Sequence, residues 1–185
     1  MARISQLTER NDLPETDRHI FDSIASTRGK VAGPFAMLLH SPEIANRTAS
    51  LGEYIRFNSG LSGEIRELLI ITVARELNCN FEWSAHEPLA RKNGVRDEAI
   101  TIVANSGELD QLTFDEAILV DYARQLCRAN KVSQEAFEKT QEKYGDRGIT
   151  EITATLAYYI MLANILNAFE VEQPTGTPVL PYIKK

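Results

Sequence analysis

Apolar residues recur along this chain with helical spacing, and no segment alternates as a strand would for more than a few residues. Pro14-Glu15-Thr16-Asp17 reads as a helix start ahead of Ile20, Phe21 and Ile24, and Gly29 closes that helix. Val31 to Leu39 is a short apolar helix entered through Gly33-Pro34. Ser41-Pro42-Glu43 caps a third, which carries Ile44, Leu51, Tyr54, Ile55 and Phe57 and stops near Asn58-Ser59-Gly60. Ser62-Gly63-Glu64 opens a fourth. Its apolar residues, among them Ile65, Leu68, Leu69, Ile70, Ile71 and Val73, cover most of its circumference, so it should be buried. Asn78-Cys79-Asn80 breaks the period and offers caps for a helix ending at Asn93-Gly94. Pro88 lies inside that helix, lacks a backbone donor, and predicts a kink just beyond His86.

Arg96 to Val103 is a short helix, and the capping box Thr113-Phe114-Asp115-Glu116 opens another through Cys127. An amphipathic helix runs from Ser133 to Tyr144-Gly145, and Thr150 is expected to cap a long helix to Phe169. Residues Met1 to Leu13 read as an arm. The tail, with Pro174, Pro178 and Pro181, reads as an extended strap. The pattern predicts an all-α fold of eight or nine helices without a sheet. A single domain is expected over residues 1–185, with an N-terminal helical extension over 1–60, a core over about 61–170 and a tail over 171–185.

Composition narrows the functional classes. The chain has 185 residues, 43% hydrophobic and 25% charged, as an ordinary soluble domain has, and enough length to bury a core. Its net charge of −6 is spread without a basic block, which argues against nucleic acid as a partner. Cys79 and Cys127 make no disulfide scaffold, and MARISQLTER lacks the apolar region of a signal peptide, so a cytoplasmic location is expected. Ile152 to Phe169 carries no charged side chain, but Thr153, Thr155, Asn164 and Asn167 interrupt it. A buried helix is expected there and no membrane span.

Candidate chemistry concentrates between Glu67 and His86. On a helix after Asn78, Cys79, Glu82, Trp83 and His86 fall within about 100° of arc, so thiol, carboxylate, indole and imidazole share one face. Glu82 and His86 stand one turn apart, where the carboxylate can orient the ring and favour its charged form. A solvated surface Glu–His pair would show the same spacing. Cys79 at a helix N-terminus is expected to have a lowered pKa, and Trp83 to supply an apolar wall. Glu67, on the preceding helix, either joins the cluster across a hairpin or is an exposed first-turn acid. Cys79, Glu82 and His86 have ligand chemistry without an obvious fourth ligand, so no metal is expected. Phosphate loops and nucleophile elbows are absent by motif. Cys127 reads as a structural thiol.

Glu67, eleven residues, then Cys79-Asn80-Phe81-Glu82-Trp83-Ser84-Ala85-His86, followed by Ala90 and Gly94-Val95, resembles the carboxymuconolactone decarboxylase family and its alkylhydroperoxidase D (AhpD)-like superfamily. The similarity is clearest over about 61–103, and Tyr158-Tyr159 to Phe169 is also similar to members of this group. The resemblance implies an all-helical fold and a homo-oligomer, trimer or hexamer. Its peroxidase branch carries Glu-(11)-Cys-x-x-Cys-x-x-x-His. Glu67, Cys79 and His86 match, but Glu82 stands where the peroxide-attacking cysteine belongs. Its decarboxylase branch resembles Glu-x-x-x-His, which Glu82 and His86 match.

These readings lead to a cofactor-free lyase acting on a small unsaturated lactone acid or a related aromatic-degradation intermediate. His86 would be the general acid, Glu82 its orienting partner, Glu67 a more distant partner or relay, and Trp83 a substrate wall. Arg56, Arg66, Arg75 and Arg91 are each available for a substrate carboxylate. The alternatives are a thiol-dependent peroxidase through Cys79 and a non-catalytic binding protein on the same fold.

Overall fold

The computed structural model describes residues 2–183; Met1 of the arm and Lys184 and Lys185 of the tail lie outside the described residues. Among the described residues eight α-helical segments form in chain order: α1 (Arg18–Arg28), α2 (Pro34–Leu38), α3 (Pro42–Glu53), α4 (Gly63–Glu76), α5 (Asn80–Lys92), α6 (Asp97–Ala104), α7 (Phe114–Ala129) and α8 (Gln134–Ala168). Among the described residues there is no strand. The fold is all-α. The chain folds into two compact units, one comprising the residues up to Ser59 with Ile165–Glu172, the other Gly60–Asn164 with the tail from Gln173.

In the first unit Ile20 and Ile24 of α1 join Val31, Phe35, Leu39, Ala45 and Ala49 in one apolar cluster. Pro at the first turns of α2 and α3 fits there because those amides lack helical partners anyway. Gly29 ends α1 at φ 76°, a left-handed cap that glycine adopts without strain. The N-terminal arm is tied down: Leu7 N–H donates to Ala36 O, and Arg3 N–H to Phe169 O.

In the second unit α4 is central and packs against α5, α6 and α7. Leu68, Leu69, Ile70, Ile71, Val73 and Ala74 are all buried, as an apolar circumference requires. Ser62 caps α4 by accepting from Ile65 N–H. Both bonds of the Thr113–Glu116 box are made, and Arg96 grips the Glu116 carboxylate with Nε and Nη2 at 2.8 and 2.7 Å. That hydrogen-bonded guanidinium holds the Glu116 carboxyl below its usual range.

Helix α5 runs through Pro88 to Lys92 with Asn93 as its C-cap, as the sequence places its end, since a proline there removes a single donor and the rest of the ladder carries on. One boundary expectation changes. The long last helix does not begin at Thr150. The break falls at Gly145 (φ 66°, ψ 177°), and Thr150 Oγ1 sits inside the helix, donating to Asp146 O. Helix α8 is long and apolar enough to cross a membrane, but 56% of its most apolar window is buried within the protein. The tail is a strap: Leu180 N–H donates to Asn80 Oδ1, and Arg75 Nη1 to Pro181 O.

Candidate active site

The α4–α5 hairpin assembles the cluster. The turn between the helices is tight, with Asn78 at φ 49° and Cys79 N–H donating to Ala74 O. It folds α5 back along α4, so that Glu67 reaches His86. Glu67 Oε2 lies 2.7 Å from His86 Nδ1, and Glu82 Oε2 lies 3.4 Å from Nε2. The ring therefore has a carboxylate at each nitrogen. The side chains of His86 and Glu67 are 8% and 3% exposed, so the group is buried and is no solvated surface pair. Tyr159 of α8 meets the His86 ring edge-on, with centroids 5.2 Å apart, and Tyr158 meets Tyr159 in the same way. Trp83 is buried on α5.

This geometry reverses the roles expected of the two acids. Glu67 is the hydrogen-bonding partner of His86, not a distant relay, and Glu82 stands farther off on the opposite nitrogen. A neutral imidazole has one N–H. If Nδ1–H serves Glu67, Nε2 of the neutral ring is left as an acceptor, and Glu82 Oε2 lies beside it at 3.4 Å, longer than an ordinary hydrogen bond.

Cys79 also departs from expectation. It caps α5, yet its thiol is pushed up from 9.0 to about 12. Burial is the chief cause, and the nearby Glu82 charge adds to it. The amide N–H groups of Glu82 and Phe81 pull the other way without prevailing. The helix terminus lowers a thiol that solvent reaches; here Cys79 is buried and desolvation prevails. Cys127 is likewise raised to about 12 by burial, and both are free thiols.

Three of the four arginines considered for substrate are engaged. Arg75 donates to Ala104 O, Pro181 O and Asn78 Oδ1; Arg91 pairs with Glu87 and Asp97; Arg56 lies over the Phe57 ring. Arg66 faces the cluster, with Nε 3.5 Å from Glu67 Oε1. Tyr159 and the Arg66–Glu67 contact were not legible as site features. The sequence offered no more than an aromatic pair in an uncharged stretch and a basic neighbour to an acid. Two cavities of about 540 and 560 Å³ lie elsewhere. The first lies between the tail and the α4–α5 turn at Arg75, Asn78 and Asn80, the second along α8 at Ile149, Thr153 and Ala157. Among the described residues no group of three His, Cys, Asp or Glu is placed to hold a metal ion.

Residues 42–113, which include every member of the α4–α5 cluster, match the model of the carboxymuconolactone decarboxylase family. The segment that carries the cluster is thus similar to this family. Several solved structures share the helical fold along nearly the whole length. An alkylhydroperoxidase AhpD core from Ralstonia eutropha JMP134, named as an uncharacterized peroxidase-related protein, is 19% identical with a TM-score of 0.75, over 94% of this chain and 93% of that one. A peroxidase-related protein from Silicibacter sp. TM1040 is 16% identical with a TM-score of 0.75, over 94% and 92%. A variant of the debrominase Bmp8 in complex with 2,3,4-tribromopyrrole is 14% identical with a TM-score of 0.74, over 95% of each chain. No curated protein matches the sequence. Proteins named for debromination and for peroxidase relationship share this architecture, so the reaction has to be argued from side chains.

Proposed function

We propose that the chain is a cofactor-free lyase that decarboxylates a small unsaturated lactone acid, with His86 as general acid. The observation that carries this reading is the buried line Glu67–His86–Glu82, with one carboxylate at each ring nitrogen. In such a substrate the C–CO2⁻ bond breaks, and its electron pair moves through the conjugated C=C onto the lactone carbonyl. The resulting dienolate then takes a proton at carbon. His86, charged, gives that proton from Nε2 while Glu67 holds Nδ1–H and keeps the ring oriented. Solvent later returns the proton, so one proton is consumed for each CO2 released. Tyr159 blocks rotation of the ring, and Trp83 helps keep the site dry, which favours loss of a carboxylate's charge.

Peroxidase chemistry at Cys79 is less well supported. Glu82 replaces the second cysteine, and a buried thiol raised to about 12 holds little thiolate at neutral pH. The test is turnover of unsaturated lactone acids, followed by CO2 release. His86→Gln is expected to lose about 100- to 10,000-fold in kcat while its circular dichroism stays native. A folded His86→Gln with full activity sinks the assignment. Peroxide consumption that needs Cys79, in a protein inert to lactone acids, moves it to the thiol reading.

A further inference from the structure

Arginine has five N–H donors, and a guanidinium withdrawn from water calls for partners. The Arg66 side chain is 15% exposed, and its Nε is buried without a hydrogen bond. Among the described residues its one polar contact is the 3.5 Å approach to Glu67 Oε1, beyond hydrogen-bonding distance. Surface arginines leave donors to water at little cost, but Nε of this one is shut off from water with no hydrogen bond made, and its ion pair to Glu67 is long. The neighbouring arginines behave differently: Arg75 and Arg91 use theirs on carbonyls, an amide oxygen and carboxylates.

Position gives the unused donors meaning. Arg66 shares the Glu67 carboxylate with His86: Oε1 faces the guanidinium, and Oε2 faces the ring. It is also the least buried member of this group, so a ligand approaching the ring from solvent meets it first. The charge balance is consistent with this. Glu67 and Glu82 would repel an anion near His86, and a guanidinium with free N–H groups offsets that repulsion.

We propose that Arg66 is the carboxylate-binding subsite of this active site, taking a small organic carboxylate on its unused N–H groups and placing it beside His86. The proposal rests on the acid–base reading of His86 and supplies its substrate recognition. A planar fork suits a carboxylate bidentately, which a lysine cannot reproduce.

Calorimetric titration of the full chain with three probes tests it: muconolactone as an unsaturated lactone acid, its methyl ester, and benzoate. The wild type is expected to bind muconolactone more tightly than the ester. Arg66→Gln should weaken muconolactone about 10- to 100-fold and leave the ester unchanged. Arg66→Lys, which keeps the charge and guards against a folding failure, should bind muconolactone more weakly than wild type and more tightly than Arg66→Gln. Equal affinity of wild type and both variants for muconolactone overturns the subsite. So does equal loss of acid and ester, or a wild type that binds no carboxylate. Benzoate binding that depends on Arg66, without turnover of any lactone acid, upholds the subsite and removes the lyase reading. Turnover with a KM unaffected by Arg66→Gln does the reverse.

Discussion

A side chain's surroundings outweigh its place on a helix, and Cys79 shows by how much. Its position at the start of α5 argues for a reactive thiolate, and its burial argues harder against one. Native protein at pH 8 should therefore leave Cys79 and Cys127 unmodified by a thiol reagent over times that exhaust a free thiol, with both reacting once urea unfolds the chain. Rapid native labelling of Cys79 would contradict the burial argument. The same groups set an alkaline limit. The folded state keeps protons on Cys79, Cys127 and Tyr144 to about pH 12. An unfolded chain releases the thiol protons near 9.0 and the phenol near 10.0. Between these limits the unfolded state binds fewer protons, so their contribution is whole below pH 9.0 and declines as pH rises toward 12. Urea midpoints measured from pH 8 to 11 should fall steadily, and less so in Cys127→Ala. The residue types of the cluster were legible in the sequence because thiol, carboxylate and imidazole share a helical face. Which acid touches the ring was not, because a contact across a hairpin depends on the turn geometry at Asn78.

Among the helices, two caps and the break at Gly145 were readable in local sequence, whereas the restart expected at Thr150 was not where the helix resumes. Ser62 and the Thr113–Glu116 box stand where the sequence placed them, because each satisfies helix-end amides with its own side chain. The interruption of α8 lies at Gly145, where the sequence ended the amphipathic helix, in a backbone region that side chains other than hydrogen hardly enter. Gly145→Ala should cost about 1–3 kcal/mol, read from urea unfolding, although a Cβ there would meet no neighbour within 4 Å. A loss near zero would mean that the helix can rejoin across this point.

At the scale of the whole chain the all-helical class followed from periodicity alone, whereas the grouping of residues 165–172 with the N-terminal segment did not. Helical spacing says which face of α8 is buried but not against which partner. The tail was legible as non-helical from its prolines; its anchor, Arg75, was hidden inside an apolar helix. Arg75→Met strands the carbonyls of Ala104 and Pro181 and should destabilise the chain by about 3 kcal/mol, with faster amide exchange at Leu180. An unchanged exchange rate there would show that the strap holds without its guanidinium. A different dependence follows from the reach of Glu67 to His86 over 19 positions. The two side chains ride on separate rods, α4 and α5, and each residue of axial slip carries an atom about 1.5 Å. A contact of 2.7 Å does not survive such a slip. The meshing of Leu68 and Ile71 with their neighbours thus acts as a vernier for the proton donor. Trimming a methylene there would detune the chemistry without touching any group that performs it.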